Sequence, residues 1–351
     1  MSQKLGLPGK DGLMLKPGTR KPAADGVSPV ERLHALVAAD MAATDRMIHA
    51  RMGSAVALIP DLARHLIDSG GKRLRPMLTL AAAQMGGYAG DKHINLAAAV
   101  EFIHTATLLH DDVVDASTLR RGKVAANLVW GNKATVLVGD FLFSRAFEMM
   151  VDTGSLRVLE ILAGASAIIA EGEVMQLKSE SNLGTTEDHY LKVVGAKTAA
   201  LFAAAAESGA TLCGRGPEFI GALRAYGDNL GIAFQLVDDA LDYSGRQAMM
   251  GKAVGDDFRE AKVTLPVILA YARADARQTD FWKRVIEGGP QGEADLEKAI
   301  TYVEETGAIG ETMTRARHYA DKAVAALQPL APGEIRDALA DIADFCVERA
   351  Y

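Results

Sequence analysis

The stretch PEFIGALRAYGDNLGIAFQLVDDALDY (217–243) is typical of one long helix. Its proline stands at the first position, where a helix accepts one, and apolar residues continue to its far end. Pro217 is the only proline between Pro76 and Pro266. A segment this long, rich in Ala, Leu, Glu and Met and without Asn-Gly hairpin signals, favours helices throughout. The sequence therefore predicts an all-α protein.

Helix caps and breaks extend this prediction on both sides. Ser28, Pro29 and Glu31 have the capping-box pattern of a helix start. The pair Gly70-Gly71 ends a helix, and Pro76 opens the next. No linker or internal repeat divides the chain, so we expect a single domain over residues 28–351. Further helices are predicted at about 94–115, 134–152, 155–180, 187–208, 217–243 and 258–275, with two or three more in 295–351.

The first 27 residues differ from the rest of the chain. They carry five basic residues and three prolines but no apolar h-region, which argues against a secretory signal. The prolines would also break an amphipathic transit helix. We therefore expect residues 1–27 to form a disordered arm.

Composition excludes several classes of protein. The 38 basic and 45 acidic residues give a net charge of −7, which argues against a nucleic-acid partner. Cys213 and Cys346 lie far apart, which excludes a disulfide framework or a cysteine zinc site and favours a reducing compartment. No run of eighteen apolar residues lacks a charge, so we expect no membrane insertion and a cytoplasmic location.

Two acidic clusters lie on predicted helices. Asp111 and Asp115 are four residues apart, so they share one helix face, which continues back to His104. One such cluster could be a solvated face, but two inside apolar helices favour Mg²⁺ held by carboxylates and substrate phosphates. The second cluster has the spacing of an apolar core stripe and yet is polar: Gln235, Asp238, Asp239 and Asp242.

Basic residues accompany both clusters. Each is as well explained alone as a solvated surface charge, but together they predict two anion sites. One site would be bridged to carboxylates by Mg²⁺, and the other would be held directly by Arg, Lys and His. The P-loop, dinucleotide-binding and EF-hand patterns are absent from the sequence. The basic positions are Lys72, Arg73, Arg75, Arg120, Arg121, Lys197 and Lys252.

With these motifs the sequence resembles the trans-isoprenyl diphosphate synthases, and more closely the long-chain polyprenyl diphosphate synthases of quinone biosynthesis. The resemblance implies an isoprenoid-synthase bundle of about ten or more helices around a deep central cavity, usually in a homodimer. It also implies roughly two or three Mg²⁺ ions. The matching stretches are GGKRLRP (70–76), FIHTATLLHDDVVD (102–115), RRG (120–122), GD (139–140), KT (197–198), FQLVDDALD (234–242) and KAVGDD (252–257).

The resemblance also implies an activity and residue roles. The enzyme would join an allylic diphosphate to successive isopentenyl diphosphates and release pyrophosphate. The implied metal ligands are Asp111, Asp115, Asp238, Asp239 and Asp242; the implied allylic diphosphate contacts are Arg120, Lys197, Thr198, Gln235 and Lys252. The implied isopentenyl diphosphate contacts are Lys72, Arg75, His104 and Arg121, with Arg349 closing over them. The residues expected to matter most for catalysis are Asp111, Asp115, Lys197 and Asp238.

Product length is the remaining expectation from the sequence. Short-chain members of the family carry a bulky aromatic just before the first acidic motif, whereas this chain has Ile103, Ala106 and Thr107. We therefore expect a C50 product, with C40 or C45 close behind, and transient membrane contact for its release.

Several alternatives stay open. They are a shorter-chain, geranylgeranyl-type synthase, a class I terpene cyclase, a partner subunit of a heteromeric synthase and a purely structural bundle that binds divalent ions. The second Asp-Asp-x-x-Asp motif argues against the cyclase, and the complete set of acidic and basic residues argues against the last two.

Overall fold

The structure is a computed structural model that describes residues 26–244, 255–292 and 294–348. It confirms the all-α prediction, because these residues form helices and one short hairpin. The elements are α1 Pro29–Leu36, α2 Ala38–Arg51, α3 Leu58–Ile67, α4 Leu74–Met85, α5 Lys92–Val114, β1 Leu119–Arg120, β2 Lys123–Val124, α6 Ala126–Trp130, α7 Asn132–Asp152, α8 Leu156–Ser179, α9 Glu187–Val194, a π-helical turn Gly195–Ala199, α10 Ala200–Leu212, α11 Pro217–Asp242, α12 Asp256–Arg259, α13 Leu265–Ala272, α14 Ala276–Ile286, α15 Asp295–Glu305, α16 Ala308–Ala326 and α17 Glu334–Glu348.

Local sequence signals explain several of the helix ends. Ser28 caps α1 as predicted: its hydroxyl accepts from the Glu31 amide at 3.2 Å, and the Glu31 carboxylate accepts from the Ser28 amide at 2.8 Å. Pro217 is the first residue of α11, as expected for a proline at a helix start.

Helix α10 lies at the centre of the bundle. Residues 201–210 are all buried, and the helix packs against α4, α5, α8 and α11. A hydrophobic cluster of buried residues extends from Leu33 in α1 to Val347 in α17. That residues 28–351 form one domain stays a prediction.

The π-helical turn before α10 is held between two glycines. A Cβ on Gly172 of α8 would lie 2.8 Å from the Cβ of Ala196, and a Cβ on Gly231 of α11 would lie 2.5 Å from the Cα of Ala199. No side chain fits at either position, so α8 and α11 approach the turn closely. This contact fixes the start of α10 between its two neighbours.

The structure corrects two expectations about secondary structure. The helix predicted over 258–275 is wrong: α12 ends at Arg259, and a new helix begins at Leu265, where Pro266 suits a first turn. A hairpin that we did not predict joins β1 to β2. Arg121 (φ 52°) and Gly122 (φ 76°) form its turn, with both central residues in the left-handed region, as in a type I′ turn.

Some predictions fall outside the described residues. They concern Lys252, Arg349 and nearly all of the arm over 1–27. Among the described residues, no helix has both the length and the apolar character needed to cross a membrane.

Candidate active site

The first acidic cluster lies at the end of α5, and its three aspartates have different partners. The Asp111 carboxylate is 3.9 Å from the Lys197 ammonium, and that of Asp115 is 2.9 Å from the Lys262 ammonium. Asp112 is fully buried and accepts from the Arg120 guanidinium at 2.7 Å. Asp111 and Asp115 therefore face basic groups from two other segments, the π-helical turn and the loop after α12, whereas Asp112 anchors the hairpin that carries Arg120.

The second acidic cluster lies at the end of α11. Both carboxylate oxygens of Asp239 accept hydrogen bonds, one from the Tyr190 hydroxyl and one from the Gln235 amide at 2.7 Å. Those of Asp242 accept from the backbone amides of Asp256 at 3.3 Å and Asp257 at 3.0 Å, so Asp242 caps α12. Asp238 is half-buried beside them.

Burial raises the pKa of several of these carboxylates, because nearby basic groups and hydrogen-bond donors do not fully offset the loss of contact with water. It raises the pKa of Asp111 to about 7, although Lys197 opposes the shift. Burial likewise raises the pKa of Asp239 to about 7 and that of Asp242 to about 6, against the hydrogen bonds that these carboxylates accept. A cation bound beside these carboxylates would lower their pKa values, because it stabilises the ionised form.

Lys197 and Thr198 join the two acidic clusters. Both belong to the π-helical turn, a distortion that often occurs at functional sites. The Lys197 ammonium also bonds to Glu173 of α8 at 2.7 Å, while the Thr198 hydroxyl donates to the Gln235 carbonyl at 2.8 Å. Adjacent residues thus reach toward α5 and α11. They line a cavity of about 130 Å³ together with Tyr190, Gln235, Asp239 and Lys262.

Lys262 is a residue that we did not predict. It follows α12, and its ammonium contacts Glu260 at 2.5 Å as well as Asp115. Burial lowers the pKa of Lys262, but these two carboxylates outweigh that effect, so its pKa is raised. Lys262 therefore carries a full positive charge beside the first acidic cluster.

A basic cluster lies two helical turns before Asp111 on α5. The Arg75 guanidinium stacks 4.3 Å from the Phe202 ring centroid, and it lies 3.2 Å from His104 Nε2. Burial lowers the pKa of Arg75 to about 10, and nearby Arg121 adds to the shift. Burial and the surrounding arginines also hold the pKa of His104 well below 6.5. Neutral His104 thus accepts from Arg75, and the cluster keeps an excess of positive charge.

Glu101 organises this basic cluster. It is 4% exposed and lies 3.2 Å from the Arg73 guanidinium. Arg73 has a left-handed backbone (φ 47°) at the start of α4, which we did not predict. On the hairpin, the Arg121 guanidinium donates to the Gly70 carbonyl. The Nε of Arg75 is buried and has no hydrogen-bond partner among the described residues.

The donor set fits divalent cations held jointly with a diphosphate. Among the described residues, no group of three or more His, Cys, Asp or Glu side chains is placed to hold a metal ion. Mg²⁺ usually takes one or two carboxylates and completes its octahedron with phosphate oxygens and water. Asp111 and Asp115 suit that arrangement, because their carboxylate oxygens can bind Mg²⁺ and the neighbouring basic groups can contact a diphosphate.

The predicted site residues fall into two groups. The structure brings Asp111, Asp115, Lys197, Thr198, Gln235 and Asp239 together, and it gathers Arg75, His104 and Arg121 in the basic cluster. The Lys72 ammonium lies 5.9 Å from the Phe345 ring centroid. Ile103 and Ala106 are fully buried on α5, while Thr107 is half-buried.

Comparison with known proteins identifies the family. Residues 56–303 match the polyprenyl synthetase family, so the chain belongs to the polyprenyl synthetase family. This confirms the resemblance seen in the motifs. The chain is therefore a prenyltransferase of isoprenoid biosynthesis, and its relatives place it among the long-chain trans-polyprenyl diphosphate synthases, which act on isoprenyl diphosphates.

Individual relatives cover nearly the whole chain. It is 46% identical to the octaprenyl diphosphate synthase of Escherichia coli (strain K12) over 320 residues, which are 91% of this chain and 99% of the relative. A polyprenyl synthase from Caulobacter crescentus CB15, complexed with calcium and isoprenyl diphosphate, superposes with a TM-score of 0.90 at 55% identity and covers 94% and 100% of the two chains. A decaprenyl diphosphate synthase from Rhodobacter capsulatus gives 0.88 at 56% identity, covering 92% and 100%.

Proposed function

We propose that this chain is an Mg²⁺-dependent synthase that extends an allylic diphosphate, such as farnesyl diphosphate, to an all-trans C40–C50 diphosphate for a quinone side chain. C50 is the favoured product. The observation that carries the proposal is the link between the acidic clusters: Asp111 reaches Lys197, and the adjacent Thr198 reaches Gln235. A diphosphate between α5 and α11 would meet carboxylates and ammonium groups at once.

The two clusters divide the two substrates between them. The allylic diphosphate would lie at the acidic end, with Asp111, Asp115 and Asp238 as metal ligands. Isopentenyl diphosphate would lie in the basic cluster. Its direct contacts would be Lys72, Arg75, His104 and Arg121, while those of the allylic diphosphate would be Arg120, Lys197, Thr198, Gln235, Lys252 and the additional Lys262.

The charges then account for the chemistry. When bound, Mg²⁺ would neutralise the negative charge that develops on the departing diphosphate. Lys197 and Lys262 would stabilise the same charge from preorganised positions. Arg75 would hold the isopentenyl diphosphate so that its double bond attacks the allylic cation. Because neutral His104 already accepts from Arg75, we assign the final proton transfer to the released pyrophosphate rather than to His104.

A homodimer is part of the same proposal. Helix α7 exposes Leu137 (66%), Phe147 (36%) and Val151 (62%), which recur at helical spacing, and α8 exposes Leu156 (83%) and Ile168 (45%). Apolar faces of this kind mark protein contacts. The cytoplasmic location stays a prediction.

Product chromatography tests the proposal. Purified protein is incubated with Mg²⁺, farnesyl diphosphate and labelled isopentenyl diphosphate, and the dephosphorylated alcohols are sized. A final product of C40–C50 would support the proposal, whereas a stop at C15–C20 would contradict the role given to Ala106 and Thr107. Folded protein that elongates nothing would contradict the synthase itself.

A matched pair of variants tests the chain-length residues. Ala106→Phe would place an aromatic on the wall of α5 and should shorten the product. Ala97→Phe, on the same helix at an equally buried position more than two turns away, controls for overpacking. Equal shortening by both variants would contradict the assignment to Ala106.

A further inference from the structure

Four side chains from three segments form one hydrogen-bond chain beside the cavity. The Tyr190 hydroxyl on α9 donates to Oδ2 of Asp239. The Gln235 amide on α11 donates to the other oxygen at 2.7 Å, and its carbonyl accepts from the Thr198 hydroxyl at 2.8 Å. The chain therefore joins α9 to α11 and reaches the π-helical turn between α9 and α10.

The direction of this chain is fixed by its chemistry. When Asp239 is ionised its carboxylate only accepts hydrogen bonds, so it orients both the Tyr190 hydroxyl and the Gln235 amide group. The carbonyl of Gln235 must then face Thr198. Tyr190 is 5% exposed, Asp239 is 3% and Thr198 is 8%, so water does not compete readily for these bonds.

Neighbouring aspartates on α11 differ in their surroundings. Asp239 has a protein donor on each carboxylate oxygen and is almost fully buried. Asp238 lies one residue earlier, about 100° around the helix, and is half-buried. A metal ligand must offer lone pairs to an ion that enters from solvent with its waters. Half-buried Asp238 is more accessible to such an ion than almost fully buried Asp239.

We propose that Asp239 anchors this chain instead of binding metal, and that Tyr190 is a positioning residue that acts through it on Thr198. Without the Tyr190 hydroxyl, Asp239 keeps one unpaired buried oxygen and Gln235 loses its fixed orientation. Thr198 then moves, and with it the adjacent Lys197, which carries the contacts to Asp111 and Glu173. This inference rests on the proposed function, since it assigns the allylic diphosphate to Lys197 and Thr198.

Tyr190→Phe tests the positioning role. We expect KM for farnesyl diphosphate to rise about tenfold, as for the loss of a hydrogen bond to an ionised group, while KM for isopentenyl diphosphate changes less than about twofold. Tyr226→Phe is the matched control, because it removes a buried hydroxyl on α11 that donates to the Leu339 carbonyl at 2.7 Å, away from the site. It should leave both KM values within about twofold.

If Tyr190 had only a structural role, Tyr190→Phe would lower stability without a selective rise in KM for farnesyl diphosphate. Both variants lose one buried hydrogen bond, so their melting temperatures should fall by similar amounts. If Tyr190→Phe changes neither KM value, or both equally, the positioning role is wrong.

The metal assignment is tested by calorimetric titration of Mg²⁺ in the presence of inorganic pyrophosphate. Asp238→Asn should weaken Mg²⁺ binding on the order of tenfold or more beyond the effect of Tyr190→Phe, whereas Asp239→Asn should weaken it no more than Tyr190→Phe does. Equal weakening by both variants would overturn the anchoring role of Asp239.

The binding measurement also separates this inference from the proposed function. Wild-type protein that fails to elongate farnesyl diphosphate would contradict the function alone. In that case the pyrophosphate affinity of Tyr190→Phe against wild type still decides the inference: a loss of about tenfold supports it, and equal affinity overturns it.

Discussion

The two ends of the candidate active site differ in charge, although we propose that each holds a diphosphate. At the ends of α5 and α11, carboxylates alternate with Lys197 and Lys262, and burial raises the pKa of Asp111 to about 7. About 10 Å back along α5, arginines surround a single buried carboxylate, Glu101, and the pKa of Arg75 is lowered to about 10. The first end has more carboxylates than basic groups, and the second has more basic groups than carboxylates.

This difference matches the fates of the two diphosphates. A group that must leave needs charge stabilisation that grows as its bond breaks, which metal ions and ammonium groups supply. A group that must stay needs only firm, oriented contacts, which guanidinium groups supply without a metal. The comparison therefore predicts that loss of a metal ligand at the acidic end reduces turnover, whereas variants at the basic end weaken isopentenyl diphosphate binding.

The largest effect is expected from Asp111→Ala. It removes a proposed metal ligand and leaves Lys197 without its partner on α5, so kcat should fall on the order of 10²–10³-fold. Asp238→Ala should act similarly. Isopentenyl diphosphate incorporation measures the loss, and circular dichroism checks that the fold survives. Near-normal turnover in both folded variants would remove the distinction between the two ends.

Arg75→Met should affect one substrate only. Losing a charge-assisted contact should raise KM for isopentenyl diphosphate about 10- to 100-fold and leave KM for farnesyl diphosphate nearly unchanged. Arg64→Met, at an exposed position on α3 that pairs with Asp61 at 3.5 Å, is the control and should change neither. A parallel rise in both KM values for Arg75→Met would show that the ends are not separate.

Gly231→Ala should disturb the acidic end alone. The new Cβ would lie 2.5 Å from the Cα of Ala199, so overpacking should lower stability by about 1–3 kcal/mol and raise KM for farnesyl diphosphate. Gly221→Ala is the matched control on the same helix, where the new Cβ would meet no atom of the described residues within 4 Å. It should be neutral or stabilise by up to about 1 kcal/mol in thermal denaturation. Equal behaviour of the two variants would argue against the close contact.

His104 gives the smallest effect, which depends on pH. Its pKa in the folded protein lies well below 6.5, so below pH 6.5 the unfolded chain binds more protons at this residue. Stability is therefore full above pH 6.5 and is lost as pH falls below it, at up to about 1.4 kcal/mol per pH unit. Urea denaturation at pH 7.5 and 5.5 should show a larger loss for wild type than for His104→Gln. Parallel losses would mean that His104 is not held neutral.

The sequence predicted the fold class because helix signals are local. The capping box at Ser28 and the proline at Pro217 each determine a helix start within one turn of chain. The hairpin was missed because its turn uses Arg121-Gly122 in place of the usual Asn-Gly. The π-helical turn between α9 and α10 was not predicted, because it keeps the apolar pattern of a helix and depends on Gly172 and Gly231 from other helices.

The sequence predicted which residues belong to the site, but it did not predict which of their side chains contact each other. Asp111 and Lys197 were recognised from spacing and motif, but their contact depends on the packing of α5 against α10. Tyr190 and Lys262 carried no motif that we recognised, and only the structure brings them to Asp239 and Asp115. A candidate signal for Lys262 is its place just before Thr264 and Pro266, at a helix start that follows the second acidic motif.

The π-helical turn also sets the phase of the chain around the helix axis. A π turn holds one residue more than an α turn, so deleting Ala196 would let α9 and α10 continue as one regular helix. Every residue before the deletion would then rotate by about 100° relative to α10, and Tyr190 would turn away from Asp239. A regular helix one residue shorter would therefore not place the side chains of α9 and α10 against their present partners at the same time. The extra residue in the π-helical turn lets Tyr190 of α9 reach Asp239 while α10 keeps its own packing against the neighbouring helices.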